Sequence, residues 1–492
     1  MSDTDETLDP EDWDELRRLG HRMIDDMIDH LRTVRERPAW QPVPAEVRRA
    51  LEAEPVPRTG MALEQVYESF RTNVLPYPTG NLHPGFFGWV MGNGTVTGML
   101  ADLLASGMNP HLAGYDQSAA VVERQVIGWI AELMGFPADS SGILVSGGTM
   151  ANLNGLAVAR HEKVPFDLRE HGLQAAGAPR LTVYGSVETH SWINKACELM
   201  GLGRSAFRRI LTDDAYRIDV AECRRRIIDD LEAGAFPFAI VGTVGTVNTG
   251  AVDDIAALRA LADEFGLWLH VDGAFGALAA LAPAAHHLVA AQSTADSLGL
   301  DLHKWGYMPF EVACVLVRHS AAQTRTFGQA PSYLTATDRG VANNITYFAD
   351  RGLQLSRGFR ALKVWMSLKE YGTDRIGRII QQNLDQAAHL AALVDAHPAL
   401  ERLAPVELNI VCFRYAPADA DPSQLDAVNE EILLRVQESG RAVPSHTILD
   451  GRFAIRVCIT NHRTTRPDID QLVTDVLDHG RDLAPTGNSR GT

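Results

Sequence analysis

Four short runs of this sequence could do chemistry, and each lies where an apolar run ends. Ser146-Gly147-Gly148-Thr149 follows the apolar GILV and precedes a helix-like stretch beginning near Met150. Two glycines let a backbone approach a ligand closely, free N–H groups at a helix start favour an anion, and Thr149 adds a hydroxyl; an ordinary tight turn would use the same residues. His190, in SVETHSW after RLTVYG, could lay its imidazole over a flat ligand or be a satisfied polar residue. Asp272 closes LWLHVD, and a carboxylate after so apolar a run is a metal ligand, a cap or the partner of a buried cation. Gly273 and Ala274 beyond it leave room for something flat. Lys304, in DLHKW, stands between His303 and Trp305, where desolvation favours the nucleophilic amine over the ammonium.

Functional groups of an open α/β sheet gather at the carboxyl ends of its strands, so a sheet must position these four runs. From about residue 93 to 381 short apolar runs (GILVSG, RLTVYGS, FAIVGTVG, LWLHVDGA, ADSLGL, CVLVRH) alternate with longer amphipathic ones. That is the rhythm of a mainly parallel sheet wrapped by helices. From about residue 382 a long helix, the strand-like LNIVCFRY, a helix over Leu425 to Glu438 and the strand-like RFAIRVCIT read as a smaller α+β unit. At the other end, Asp9-Pro10 reads as a helix cap followed by the first helical residue, with Trp13, Leu16, Met23, Met27 and Leu31 on one face. The proline-rich stretch from Pro38 to Pro57 reads as an extended connection. The expected division is therefore an N-terminal helical arm over 1–85, a large domain over 86–381 and a small C-terminal domain over 382–492.

Bulk composition narrows the classes. With 492 residues, 46% hydrophobic and 22% charged, the chain has the profile of a globular enzyme. Its formal net charge of -17 disfavours attraction to nucleic acid or to an anionic membrane surface. Cys197, Cys223, Cys314, Cys412 and Cys458 are far apart and form no CxxC pair, so neither a disulfide framework nor a zinc site is expected. The start, MSDTDETLDPEDWDE, has no basic or apolar leader, and no later apolar run is long enough to span a bilayer; a cytoplasmic protein is the expectation.

A phosphate cup, a stacking imidazole, a carboxylate for a pyridinium nitrogen and a lysine for an aldehyde are the four contacts that pyridoxal 5'-phosphate needs, and all four occur in order. SGGTMANL, VETHSW, HVDGAFG, DLHKWGY and SRGFRALKVW together resemble the group II pyridoxal-dependent decarboxylases, which include aromatic L-amino-acid, tyrosine, histidine and glutamate decarboxylases. The similarity begins near His83, in LHPGFFGWV, and continues to Cys458. It implies the aspartate-aminotransferase-like fold type I of the pyridoxal-phosphate enzymes, with a mainly parallel seven-stranded sheet in the large domain. It also implies a homodimer with the active site at the subunit interface, wrapped by the arm. The cofactor would be a Schiff base on Lys304, its phosphate held by Gly147, Gly148 and Thr149. Asp272 would keep the ring nitrogen protonated, His190 would stack on the ring beside Ala274, Thr246 would hydrogen-bond the phenolic oxygen, and His303 would help seat the ring. Tyr333, in FGQAPSYLTATDRG, matches the tyrosine assigned to protonating Cα after CO2 leaves, and Arg357, in SRGFR, matches a residue close to the cofactor and substrate.

The sequence departs from the aromatic decarboxylases at three places. Trp89-Val90-Met91-Gly92 replaces the usual tyrosine, phenylalanine, proline and threonine of the substrate pocket, Phe275 replaces a tyrosine, and Asp301 replaces a phosphate-binding asparagine. Trp89, Val90, Met91 and Phe275 offer apolar walls, so a hydrophobic or aromatic L-amino acid is the expected substrate, decarboxylated to its amine. An ionised Asp301 would repel a phosphate.

Other fold type I reactions compete: an aldehyde synthase, a carbon-carbon lyase, or an aminotransferase using Arg456 to hold a carboxylate. In relatives that make aldehydes the residue matching Tyr333 is typically phenylalanine, which favours simple decarboxylation here. Gly201-Leu202-Gly203-Arg204-Ser205-Ala206 fits a nicotinamide-binding GxGxxA with Glu222 downstream, but that motif needs a strand before it and a helix after it, and the pattern here is the reverse.

Overall fold

A computed structural model describes residues 6–329, 337–343 and 347–483, so Tyr333 lies outside the described residues. The seven-stranded sheet runs in the order Ser141–Val145, Ala313–Val317, Ser297–Asp301, Trp268–Asp272, Phe236–Thr243, Leu181–Ser186, Phe207–Ile210. All pairings are parallel except those of Ala313–Val317, which is antiparallel to both neighbours. Helices cover both faces, so the inner strands are buried throughout and read as continuous apolar runs. The helix Gly148–Lys163 lies so close to the sheet that a Cβ on Gly155 would come within 2.5 Å of the His270 ring.

A second sheet has five strands, ordered Phe86–Phe87, Val443–Leu449, Arg452–Cys458, Ile410–Tyr415, Leu400–Arg402. Asp450 and Gly451 both take positive φ and close the hairpin between its second and third strands, a turn that Asp-Gly adopts readily. The helices Leu425–Glu438 and Arg466–Leu483 pack on this sheet with a core of their own. Gly372, at φ 69° and ψ 155°, interrupts the long helix Ala361–Ala396.

The N-terminal segment departs from expectation in two details. The first helix begins at Trp13, not at Pro10, because the Asp12 carboxylate takes the N–H groups of Asp14 and Glu15. The stretch from Pro38 to Pro57 is not uniformly extended: Ala45–Ala53, which contains no proline, forms a helix just after Pro44. The first helix buries no residue within this chain, and Trp13 and Ile28 remain exposed. Among the described residues no helix is long and apolar enough to cross a membrane.

Candidate active site

The parallel strands all deliver their carboxyl ends to one edge of the large sheet, and the chemistry-bearing residues collect there. Gly147 and Gly148 leave the strand Ser141–Val145 and open the helix Gly148–Lys163, whose first N–H groups have no side-chain cap. Thr149 is exposed in that first turn. A Cβ on Gly148 would lie 2.9 Å from Asp301 Oδ2 and 3.3 Å from Ala274 Cβ, and one on Gly147 would touch His303. Only glycine leaves that space open, so the turn is a cradle bounded by Ala274, Asp301 and His303.

Lys304 Nζ lies 3.0 Å from Asp301 Oδ2. The lysine side chain is about a quarter exposed, whereas Asp301 is buried and its Oδ1 has no hydrogen-bond partner among the described residues. Asp301 is therefore the counter-charge of Lys304 as well as a wall of the cradle. His303 is buried; its Nδ1 accepts the Val312 N–H, its ring packs on Phe310 at 4.5 Å, and burial lowers its pKa.

Asp272 ends its strand with 3% of its surface exposed. Its Oδ1 accepts the Ala274 N–H at 3.1 Å and its Oδ2 accepts the indole N–H of Trp192 at 2.6 Å. His190 lies two residues before that tryptophan, and its Nδ1 accepts the Trp192 backbone N–H. Part of the His190 ring stays open to solvent, yet crowding by the site desolvates it enough to hold its pKa below the ordinary 6.5, against the opposing pull of Asp272 and Asp301. The charges that act on His190 include Asp272, Lys304 and Asp301, so these residues share one locality.

The segment Trp89–Gly92 passes directly over the lysine turn: a Cβ on Gly92 would fall 1.4 Å from the His303 carbonyl oxygen. Trp89 holds a strained φ of 50° and is 52% exposed. Two hydrogen bonds from the second sheet fix it there: its N–H donates to Ser445 Oγ, and its carbonyl accepts from Arg456 Nη1 at 2.8 Å. Arg456 Nε donates to the Asn248 carbonyl, so this buried guanidinium joins the Trp89 segment to the turn after the strand Phe236–Thr243.

Several expected residues sit elsewhere. Arg357, expected near the substrate, has no exposed side-chain surface; it pairs with the equally buried Glu123 and donates to the carbonyls of Leu112 and Leu144. Its bonds tie the strand Ser141–Val145 to Glu123 and Leu112, and it is a buried bracing residue. Phe275 is a packing residue, 3% exposed, with its ring over Gly245 and against Trp305. Val90 is also buried in the core, and Met91 packs beside Ala39 and Phe86. Of the four apolar walls, Trp89 alone stands open. Thr246 is fully buried with its Oγ1 shared between Thr249 Oγ1 and the Ala251 N–H, inside the turn. Gly201 to Ala206 joins the helix Trp192–Leu199 to the strand Phe207–Ile210, the reverse of a nicotinamide site. Trp192, which donates to Asp272, is the residue that sequence reasoning passed over; its signal was its place two residues after His190, at the start of a helix.

An α/β sheet with a lysine, a carboxylate, an imidazole and a glycine cradle at its strand ends defines a fold type I pyridoxal-phosphate enzyme. The pyridoxal-dependent decarboxylase conserved domain matches residues 44–416, and the chain belongs to that family. It is 33% identical over 466 residues to an aromatic-L-amino-acid decarboxylase of Bacillus atrophaeus, covering 94% of this chain and 95% of the relative. It is 29% identical to a phenylacetaldehyde synthase of Arabidopsis thaliana, covering 92% and 93%. Among solved structures, Oryza sativa TDC with PLP and tryptamine superposes with a TM-score of 0.88 at 26% identity, covering 97% of this chain and all of that one. The protein is thus a pyridoxal-phosphate-dependent carboxy-lyase acting on an amino acid.

Proposed function

We propose that the protein decarboxylates a hydrophobic or aromatic L-amino acid to its amine, with Lys304 as the covalent anchor of the cofactor. The observation that carries this reading is the gathering of Lys304, Asp272, His190 and the Gly147-Gly148 cradle at one sheet edge, beside an open Trp89. Bound pyridoxal phosphate supplies an electron sink for the pair released at Cα when CO2 leaves. Asp272 would face the ring nitrogen and hold its proton; His190, kept neutral by its lowered pKa, would stack on the ring without adding a second cation. The cradle and Thr149 would receive the phosphate at the uncapped helix start. Trp89 would give the substrate side chain an apolar wall. Tyr333 would return a proton to Cα, in keeping with a decarboxylase and not an aldehyde synthase.

The active unit we infer is a homodimer with its site at the subunit boundary. Leu103, Leu104 and Met108 stand exposed on the helix Val96–Met108, and Phe310 is exposed at a surface hollow that it shares with Asp102 and Ala105 of that helix. The unburied first helix supports a partner-wrapping arm over residues 1–85, with the large and small domains over 86–381 and 382–492. The five cysteines are free and buried, which suits the reducing cytoplasm.

The test is to incubate the cofactor-loaded protein with single L-amino acids, without any 2-oxo acid, and to quantify CO2 and amine by mass spectrometry. Equal amounts from an aromatic or large apolar amino acid are expected. Aldehyde with peroxide would replace this reading by the synthase, and the absence of CO2 from every hydrophobic or aromatic substrate would overturn it.

A further inference from the structure

Trp192 opens the helix Trp192–Leu199 and is almost wholly buried, with one polar atom to place. That atom, Nε1, donates to Asp272 Oδ2 at 2.6 Å. The indole is itself braced. His270 lies two residues before Asp272 and so projects from the same face of the strand, and its ring meets the indole edge-on at 5.7 Å. Burial holds the His270 pKa down at about 4, so this imidazole is neutral and offers Asp272 no competing positive charge. Its two nitrogens are both occupied, Nδ1 with Ser297 Oγ at 2.8 Å and Nε2 with Asn152 Oδ1 at 3.0 Å. Asn152 Oδ1 can only accept, so Nε2 carries the ring proton and Nδ1 accepts from the Ser297 hydroxyl, whose oxygen in turn accepts the Trp268 indole N–H. Ser297, Asn152 and Trp268 thus lock His270, which braces the indole whose side-chain N–H is given to Asp272.

We propose that Trp192 is a positioning residue: its N–H fixes the plane of the Asp272 carboxylate, and with the Ala274 N–H on the other oxygen it presents that carboxylate ready-made to the cofactor's ring nitrogen. The proposal rests on the reading that Asp272 faces that nitrogen. A carboxylate buried at a strand end has two soft torsions, and two directed N–H donors remove that freedom before the cofactor arrives. Trp192 acts through Asp272, so its effect depends on the ring nitrogen and not on the phosphate or the aldehyde.

The experiment compares cofactor dissociation constants, read from cofactor absorbance or quenching of protein fluorescence, for pyridoxal phosphate and for its analogue with carbon in place of the ring nitrogen. Each is measured with the wild type, with Trp192→Phe, and with Trp192 replaced by benzothienylalanine, which keeps the indole shape without the N–H and so preserves packing. The wild type is expected to prefer pyridoxal phosphate over the analogue. Both variants are expected to lose about ten-fold in affinity for pyridoxal phosphate, the worth of one charge-assisted hydrogen bond, and to bind the analogue as the wild type does. Equal losses for both ligands would make Trp192 a packing residue and overturn the proposal, as would unchanged affinity for pyridoxal phosphate. No preference in the wild type would instead remove the Asp272 reading on which it stands.

Discussion

Lys304, Asp272 and His190 each sit at or just past the end of a strand, whereas Trp89, Val90 and Met91 lie on a segment that belongs to neither sheet's interior. The first group is placed by topology: once the parallel strands pair, their last residues must meet at one edge. The second is placed by single long-range contacts, from Ser445 and Arg456 of the second sheet to Trp89 and from the His303 carbonyl to Gly92. One half of the site is thus built into the sheet, and the other is laid across it. A site of this kind can keep its cofactor chemistry while the crossing segment changes, and that segment is one of the three places where the sequence differs from the pattern of the aromatic decarboxylases.

Replacing Lys304 by alanine should break the built-in half completely. Turnover is expected to fall by on the order of 10⁴ or more, since a residue proposed as the cofactor's anchor would act as a unit with the rest. Amine formation per minute by mass spectrometry measures it, and a variant retaining a tenth of the activity would show that the anchoring amine lies elsewhere.

Arg357 was expected with the substrate half and is found buried, paired with Glu123 and bonded to the Leu144 carbonyl. Arg357→Met should leave the Glu123 charge buried and unpaired, at a cost of about 3–5 kcal/mol in stability. A large drop in Tm with an unchanged KM in the surviving folded enzyme is the expected pair of results. A raised KM at an unchanged Tm would return the arginine to the substrate.

A second buried carboxylate sharpens the contrast with Asp272. Asp253 accepts the N–H groups of Ile218 and Thr243, one strand away from Asp272, and burial raises its pKa from 3.8 to about 7. The folded form keeps this proton up to about pH 7 while the unfolded chain releases it near 3.8. Its contribution to stability is therefore fully present below about pH 4 and is lost as the pH rises through 7. Urea midpoints should fall over that window by the equivalent of a few kcal/mol at most, and Asp253→Asn should flatten the profile. A wild-type midpoint constant from pH 4 to 8 would mean that Asp253 is ionised throughout.

Six of the seven large-sheet strands were legible because strands covered on both faces are continuous apolar runs whose closing residues could be read off directly; the edge strand Phe207–Ile210, which carries Arg208 and Arg209, is not such a run. The strands' lateral order and the antiparallel sense of Ala313–Val317 were not legible, because pairing is decided by contacts distant in sequence. The strand Val443–Leu449 was missed although Asp450-Gly451 marks its hairpin; its VPSHTIL breaks the apolar run with the polar Ser445, His446 and Thr447 and holds a proline. Phe275 and Val90 show the opposite failure. Apolar residues near a site motif suit a substrate wall and a core equally well, and only burial separates the two.

Asp301 touches both the lysine and the glycine cradle of the built-in half, and its substitution tests which of its two contacts matters more. Its Oδ2 is 3.0 Å from Lys304 Nζ and within 2.9 Å of where a Cβ on Gly148 would lie. The same charge that steadies the lysine therefore faces the cradle expected to hold a phosphate. Asp301→Asn keeps the shape, offers an N–H to the cradle and removes the charge. Relief of one screened repulsion, ~1.4 kcal/mol, should tighten retention of pyridoxal phosphate by about ten-fold. Equilibrium dialysis of the cofactor measures this directly. Weaker retention would show that the ion pair with Lys304 outweighs the repulsion. Asp301 would then act first as the partner of the lysine, and the phosphate would have to be held by backbone N–H groups and Thr149 in spite of it.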